Sequence, residues 1–256
     1  MKNQIKTLVT LLLLNLYVVQ VWSQDKFSIS SGTVEFNEIM AISVEGYDGN
    51  EVVFGVDGGY KVPDRAKGLK PVNGLGLSDN TGVGLAVKKE ANDYYVIYQV
   101  SRNTDTRYKV KVPKGVKVKY VNSSIHGKSF KAFNIPTEIE AKSHGGDIYL
   151  SGITGPLTVS SVHGNIDVIF NSLTNKLPSS VASVHGEVDI TVPAATNADL
   201  SIHTNWGDVY SDLEIKVDNP EQMKAYSAKK IRGKLGSGGA ALEVSSTHGN
   251  VYLRKK

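Results

Sequence analysis

Cysteine is absent from the 256-residue chain. That excludes disulfides, thiol catalysis, zinc–thiolate centres and a lipidated N-terminal cysteine. Tryptophan and phenylalanine are scarce, at two and six residues, whereas tyrosine reaches 12. Charge of one sign is not in excess: 29 Lys and Arg stand against 25 Asp and Glu. Global charge therefore does not point to nucleic acid. With 40% apolar and 21% charged residues, the chain is neither disordered nor a multi-spanning membrane protein. What the sequence does hold is glycine, at 25 residues, and six histidines whose placement is the most informative feature.

Residues Met1–Ser23 read as a secretory signal peptide. Lys2 and Lys6 form a positive start, Leu8 to Val21 an apolar stretch, and Val21 and Ser23 a small-residue cleavage signature before Gln24. The apolar run is short and interrupted by Asn15 and Gln20, too broken for a comfortable bilayer span. Losing Lys2 and Lys6 lowers the formal charge of +4 by two. No second apolar stretch is long enough to cross a membrane, so the expected mature chain has no transmembrane span. The expected organisation is a signal peptide over 1–23 and one domain over 24–256.

An internal repeat sets the expected architecture. Val162-His163-Gly164-Asn165-Ile166-Asp167-Val168 recurs as Val184-His185-Gly186-Glu187-Val188-Asp189-Ile190 and as Thr247-His248-Gly249-Asn250-Val251-Tyr252-Leu253. Relaxed copies are Gly145-Gly146-Asp147-Ile148-Tyr149-Leu150 and Trp206-Gly207-Asp208-Val209-Tyr210, and a weaker one begins at Ile125-His126-Gly127. The anchor glycines 127, 146, 164, 186 and 207 are spaced about 18–22 residues apart; the interval to Gly249 is about double. A degenerate copy is expected near Gly233-Lys234-Leu235-Gly236. Each unit is a glycine turn followed by a strand of period two. A repeat of about 20 residues is too short for a helical hairpin or a propeller blade and suits one coil of a β-solenoid. Ile166, Val168, Val188, Ile190, Val251 and Leu253 should then stack inside, with Asn165, Asp167, Glu187 and Asp189 outside.

Upstream, Tyr108 to Tyr120 alternates on both sides of a Pro113-Lys114-Gly115 turn. The glycine-rich stretch within Leu69–Val87 lacks the Gly-Lys-Ser/Thr of a phosphate-cradling loop and reads as an insertion or a corner. Pro220 to Lys230 is the one helical expectation. Tyr108–Tyr120, the Gly-x-Ile/Val-x-Val units, the Gly233–Gly239 element and the closing Ser246–Arg254 together resemble a bacterial adhesin-like family of β-strand repeats. That family, a domain of unknown function, is common in exported proteins of Bacteroidetes-like organisms. The turn phrase Val44–Val53 resembles the family's opening. The resemblance implies an all-β, right-handed, β-helix-like single solenoid and supplies no catalytic residues. Histidine before the repeat glycine departs from the family's commoner small or polar residue.

Three constellations carry candidate chemistry. If coils stack in register, His163 and His185 occupy adjacent rungs, close enough to share a divalent ion, with His248 and His126 as further candidates. The alternative is a ladder of polar turn residues. Lys109, Lys111, Lys117 and Lys119 alternate with apolar residues on one expected strand face. They would meet an anionic glycan, unless they simply keep strand edges soluble. Asp167 and Asp189 would stack about 5 Å apart, a spacing that suits a retaining glycosidase pair, though at repeated outward positions where solvated acids are ordinary. Tyr149, Tyr210 and Tyr252 offer one ring per coil for a sugar.

These features lead to an exported, non-enzymatic, all-β solenoid with a structural or adhesive role at the cell envelope, needing no cofactor. Its expected partner is envelope polysaccharide or another surface protein. The alternative is an envelope protein binding a divalent metal through the histidines or an anionic glycan through the lysines. A polysaccharide-active lyase or hydrolase ranks third.

Overall fold

The computed structural model describes residues 27–91, 93–173, 177–218 and 230–256. The signal-peptide expectation, and the helix expected over 220–230 apart from Lys230, lie outside the described residues. Lys230 itself opens a strand. The first strands are β1 (Phe27–Ser28), β2 (Gly32–Asn37), β3 (Ala41–Tyr47) and β4 (Glu51–Val56). After a loop come β5 (Leu85–Ala91), β6 (Tyr94–Gln99), β7 (Tyr108–Pro113), β8 (Val116–Asn122) and β9 (Ser129–Phe133). The repeat region supplies β10 (Ile139–Ser143), β11 (Asp147–Ile153), β12 (Leu157–Ser161), β13 (Ile166–Phe170), β14 (Ser179–Ser183) and β15 (Val188–Val192). The C-terminal part holds β16 (Ala198–Thr204), β17 (Val209–Ser211), β18 (Lys216–Val217), β19 (Lys230–Leu235), β20 (Ala240–Ser246) and β21 (Val251–Lys255).

These strands form two sheets of ten and eleven strands. Each repeat carries two strands, one for each sheet, rather than one. The first of each pair (β2, β6, β8, β10, β12, β14, β16, β20) lies in the larger sheet and the second (β3, β7, β9, β11, β13, β15, β17, β21) in the smaller. Equivalent strands of neighbouring coils pair in parallel, so the chain is a β-solenoid. Alternation does the rest. Ile148, Leu150, Ile166, Val168, Val188, Ile190, Val251 and Leu253 are buried between the sheets, none more than 1% exposed. The opposite wall is Ile139, Ala141, Leu157, Val159, Val181, Leu242, Val244, Leu200 and Ile202. Nearer the N-terminus, Tyr120 stacks on Phe130 at 4.4 Å and 4°.

Spatial order departs from chain order at both ends. The coils run β6/β7, β2/β3, β8/β9, β10/β11, β12/β13, β14/β15, β20/β21, β16/β17. The C-terminal coil therefore sits between two earlier ones, with β20 paired to β14 and β16 and β21 to β15 and β17. The β2/β3 coil is inserted in the same way, between β6/β7 and β8/β9. The expected degenerate copy near Gly233 is not a coil. Gly233 to Leu235 belong to β19, which runs antiparallel along β16 and helps cover that end of the larger sheet. The double interval before Gly249 is the length of this detour. At the other end, β4 on β7 and β5 on β6 are likewise antiparallel, so the solenoid does not present a bare parallel edge there.

One upstream reading changes and another is narrowed. Lys109 and Lys111 project from β7, Lys117 and Lys119 from β8, and these strands belong to different sheets. The Lys114-Gly115 turn carries the chain across from one sheet to the other, so the four lysines do not share a face. Three of them are engaged: Lys109 with Asp57 at 3.2 Å, Lys117 with Glu138 at 2.8 Å and Lys119 with Glu35 at 3.2 Å. The glycine-rich stretch is an insertion between β4 and β5, folded around the buried carboxylate of Asp79. That carboxylate accepts the amides of Thr81, Gly82 and Gly84 at 2.8–2.9 Å. The loop's amides are thus directed at an internal anion rather than at a phosphate.

Candidate functional site

The chain crosses from the larger sheet to the smaller at the repeat turn, and there the histidines meet. At that turn the coils approach so closely that a side chain has no room. A Cβ on Gly186 would stand 2.1 Å from the Gly164 carbonyl oxygen, one on Gly249 2.3 Å from that of Gly186, and one on Gly207 2.1 Å from that of Gly249. Of the five glycines 146, 164, 186, 249 and 207, only Gly146 has positive φ, at 87°. Glycine is demanded here mainly by the approach of the next coil and not by the turn's dihedral angles.

A second ladder lies beneath the glycines. Ser161, Ser183 and Ser246, all buried, accept the amides of Gly164, Gly186 and Gly249 at 2.9–3.0 Å, and Thr204 accepts that of Gly207 at 3.1 Å. Ser183, Ser246 and Thr204 donate in turn to the glycine carbonyls of the adjoining coil, Gly164, Gly186 and Gly249. In the five copies with glycines 146, 164, 186, 207 and 249 the hydroxyl residue stands three places before the stacked glycine, Ser143 included, so the motif is Ser/Thr-x-x-Gly. Sequence reasoning missed it, although that constant spacing was readable. A third ladder follows the glycines: Asp147 accepts the amide of Asn165, Asn165 that of Glu187 and Asn250 that of Asp208, each at 2.9 Å.

Held between these two hydrogen-bonded rows, the rings stack. His144 and His163 lie 5.5 Å apart at 14°, His163 and His185 4.9 Å at 7°, and His185 and His248 4.8 Å at 6°. Trp206 continues the row, 6.5 Å from His248 at 3°. His163, His185 and His248 are exposed. His144, one backbone position out of step, still swings its ring onto His163, and its Nδ1 donates to the Ser123 carbonyl at 3.1 Å. His126 is exposed on the preceding turn, where Asn122 stands five residues before Gly127 instead of three; the stack begins at His144. His203 lies on β16 opposite Ser245, away from the ladder, with a buried Nδ1 that has no hydrogen-bond partner among the described residues.

Adjacent rungs are thus where the repeat places His163 and His185, but their shared orientation does not suit a shared ion. Imidazole lone pairs lie in the ring plane, and planes only 7° apart point their lone pairs alongside one another, not at a common point. Among the described residues no group of three or more His, Asp or Glu side chains is arranged to hold a metal.

Asp167 and Asp189 are register partners on β13 and β15, flanked by Tyr149 on β11 and Tyr252 on β21. Their environments differ. Burial, with the charges of Asp189 and Asp147 added, holds the Asp167 carboxyl above the ordinary 3.8. Asp189 is clamped by Arg254, Nε to both oxygens at 2.8–2.9 Å and Nη2 at 2.8 Å. The pair stands on an open sheet face, with one carboxylate committed to a guanidinium. Tyr210 stacks on Tyr252 at 5.4 Å, so two of the three expected tyrosines come together.

No curated protein matches the chain at a significant level. Among solved structures, a "putative cell adhesion protein" from Clostridium sporogenes is similar at 12% identity and a TM-score of 0.48, over 90% of this chain and 94% of that one. A family model, Toastrack DUF4097, matches residues 117–254, the stretch that holds the five stacked rings together with the hydroxyl and glycine ladders beneath them. On that match, which spans more than half of its length, the chain belongs to the Toastrack DUF4097 family.

Proposed function

We propose that this protein is an exported, non-enzymatic solenoid with a structural or adhesive role at the cell envelope. The observation that carries the reading is the ladder itself. The rings of His163, His185 and His248 are exposed, while beneath them lies a repeated hydrogen-bonded scaffold that fixes their spacing. Such a row presents a long contact line and no enclosed cleft, which suits attachment better than turnover. The carboxylate pair supports the same preference, because Asp189 is held by Arg254 and its neighbour Asp167 shares the same outward face of the smaller sheet.

Two measurements test this. Protease applied to intact cells should digest the protein, and beads coated with the purified chain should adhere to cells or to isolated envelope. Full protection together with inert beads overturns the adhesive role. Turnover of acidic or neutral glycans that is lost in Asp167→Asn overturns the non-enzymatic one.

A further inference from the structure

The insertion between β4 and β5 is tied to the solenoid at both ends and stands out between them. At its start, the Asp57 amide donates to the Arg107 carbonyl at 2.7 Å, and Arg107 Nη2 donates to the Asp57 carbonyl at 2.7 Å. At its close, the Asp79 carboxylate holds the amides of Gly82 and Gly84, and the Tyr60 hydroxyl donates to it at 3.4 Å. Two tight turns lie between. The Pro63 carbonyl accepts from Ala66 and the Ala66 carbonyl from Leu69, around a single 3-10 turn over Asp64–Ala66. Val72 and Ser78 then bridge, and the Asn73 side chain accepts the amides of Leu75 and Leu77 at 3.0 Å, closing a hairpin tip. A Cβ added at Gly68, Gly74 or Gly76 would meet nothing within 4 Å, so open space surrounds the chain at both turns.

Large aliphatic side chains on these turns face water. Val62 is 46% exposed, Leu69 69%, Val72 63% and Leu75 68%. Interleaved with them stand Lys61, Arg65, Lys67 and Lys70, all exposed and none in an ion pair among the described residues. Asp64 is the only acid from Gly58 to Ser78. The acids where the insertion meets the solenoid are matched by lysines: Asp57 by Lys109 at 3.2 Å and Asp105 by Lys128 at 2.9 Å. The turn between β6 and β7, which holds the insertion's start, adds the exposed Arg102 and Arg107.

A folded partner would have to supply an acid for each of these cations while it covered the aliphatics beside them. An anionic bilayer meets both demands at once. Headgroup phosphates take the ammonium and guanidinium groups, and the acyl boundary takes the aliphatics, with the lysine stems lying along it. We propose that residues 61–76 form a membrane-contact loop that docks the β6/β7 end of the solenoid on a bilayer of anionic phospholipid. In coil order the stacked rings begin three coils away, at the β10/β11 turn, and run to the other end. Docking therefore leaves them uncovered, and this contact is separate from adhesion by the ring ladder.

Because the chain has no cysteine, single labelling sites can be introduced. The test labels full-length Leu69→Cys, Leu75→Cys and Val184→Cys with the environment-sensitive dye nitrobenzoxadiazole and adds lipid vesicles. Val184, exposed on the turn between β14 and β15, is the control. On phosphatidylcholine vesicles with roughly one-third phosphatidylglycerol, the dyes replacing Leu69 and Leu75 should shift to the blue. They should also be quenched by nitroxide-labelled acyl chains, and the dye replacing Val184 should show neither effect. Partition should exceed that on pure phosphatidylcholine by roughly tenfold or more. Lys61→Gln, Arg65→Gln, Lys67→Gln and Lys70→Gln together should abolish that preference. With the dye on Val72→Cys, Leu69→Ser plus Leu75→Ser should weaken partition roughly tenfold or more. The thermal midpoint should stay close to the parent's, because both leucines are exposed. No vesicle response, an equal response on neutral vesicles or at Val184, or one that survives either set of substitutions would overturn the proposal. A blue shift produced instead by heparin, or by raising the protein concentration without lipid, overturns it in favour of a soluble polyanion or a second copy. Vesicle docking by a protein whose coated beads are inert overturns adhesion alone; adhering beads without vesicle docking overturn only the loop's role.

Discussion

The Ser183 hydroxyl accepts the amide of Gly186 at 3.0 Å and donates to the carbonyl of Gly164, one coil away, at 3.1 Å. One buried side chain thus closes its own turn and locks it to the neighbouring turn. Ser183→Ala leaves two buried backbone groups without that partner and should cost about 1–3 kcal/mol. Ser160→Ala, at an outward position of β12, should stay within about 0.5 kcal/mol of the parent. Urea unfolding of both variants measures the contrast, and equal losses would contradict a special role for the buried hydroxyl.

Gly186→Ala places a Cβ 2.1 Å from the Gly164 carbonyl oxygen, a backbone atom that cannot swing aside. The coils must part, at a cost of about 1–3 kcal/mol, in the range of other overpacking substitutions. Gly74→Ala is the control, since a Cβ there meets nothing within 4 Å. Thermal unfolding of the pair distinguishes glycines required by close approach from glycines that merely populate loops.

Asp167 yields a pH-dependent prediction. Its carboxyl is held above 3.8 by burial first and by Asp189 and Asp147 next. Between the unfolded value and the raised native value, the native state keeps a proton that the unfolded chain has lost. Stability from this group is therefore present at low pH and lost as pH rises through the native value. Asp167→Asn should raise the denaturation midpoint at neutral pH, and the gain should vanish below about pH 3.8. A gain independent of pH would refute the electrostatic cause.

The placement of β20 and β21 makes the C-terminus indispensable. Ending the chain before Ala240 removes the coil that joins β14/β15 to β16/β17 and so breaks pairing on both sides of the gap. Such a truncation should lose the cooperative unfolding transition and become protease-sensitive across β16 and β17. Trimming only Lys256 should leave the transition in place. Limited proteolysis with circular dichroism separates the two outcomes.

Much of this molecule is local and therefore legible in the amino-acid sequence. Period-two alternation named the interior residues from Ile166 to Leu253, and recurring glycines marked the turns at which coils meet. Those features depend on neighbours in the chain and on a repeat, and both are written in one dimension. The serine and threonine ladder was also readable, three places before each glycine, but a buried hydroxyl looks the same in a sequence as an exposed one.

Only the tertiary structure decided which coil lies beside which. Parallel pairing leaves both edges of a coil able to accept a partner, so sequence spacing does not determine order, and β20/β21 enters between coils made earlier in the chain. The same freedom turned the Gly233 segment into an antiparallel cover and sent Lys109 and Lys117 to different sheets. It also decided the histidines' chemistry: the repeat places them on neighbouring rungs, but stacking aligns their lone pairs side by side and presents their edges to solvent.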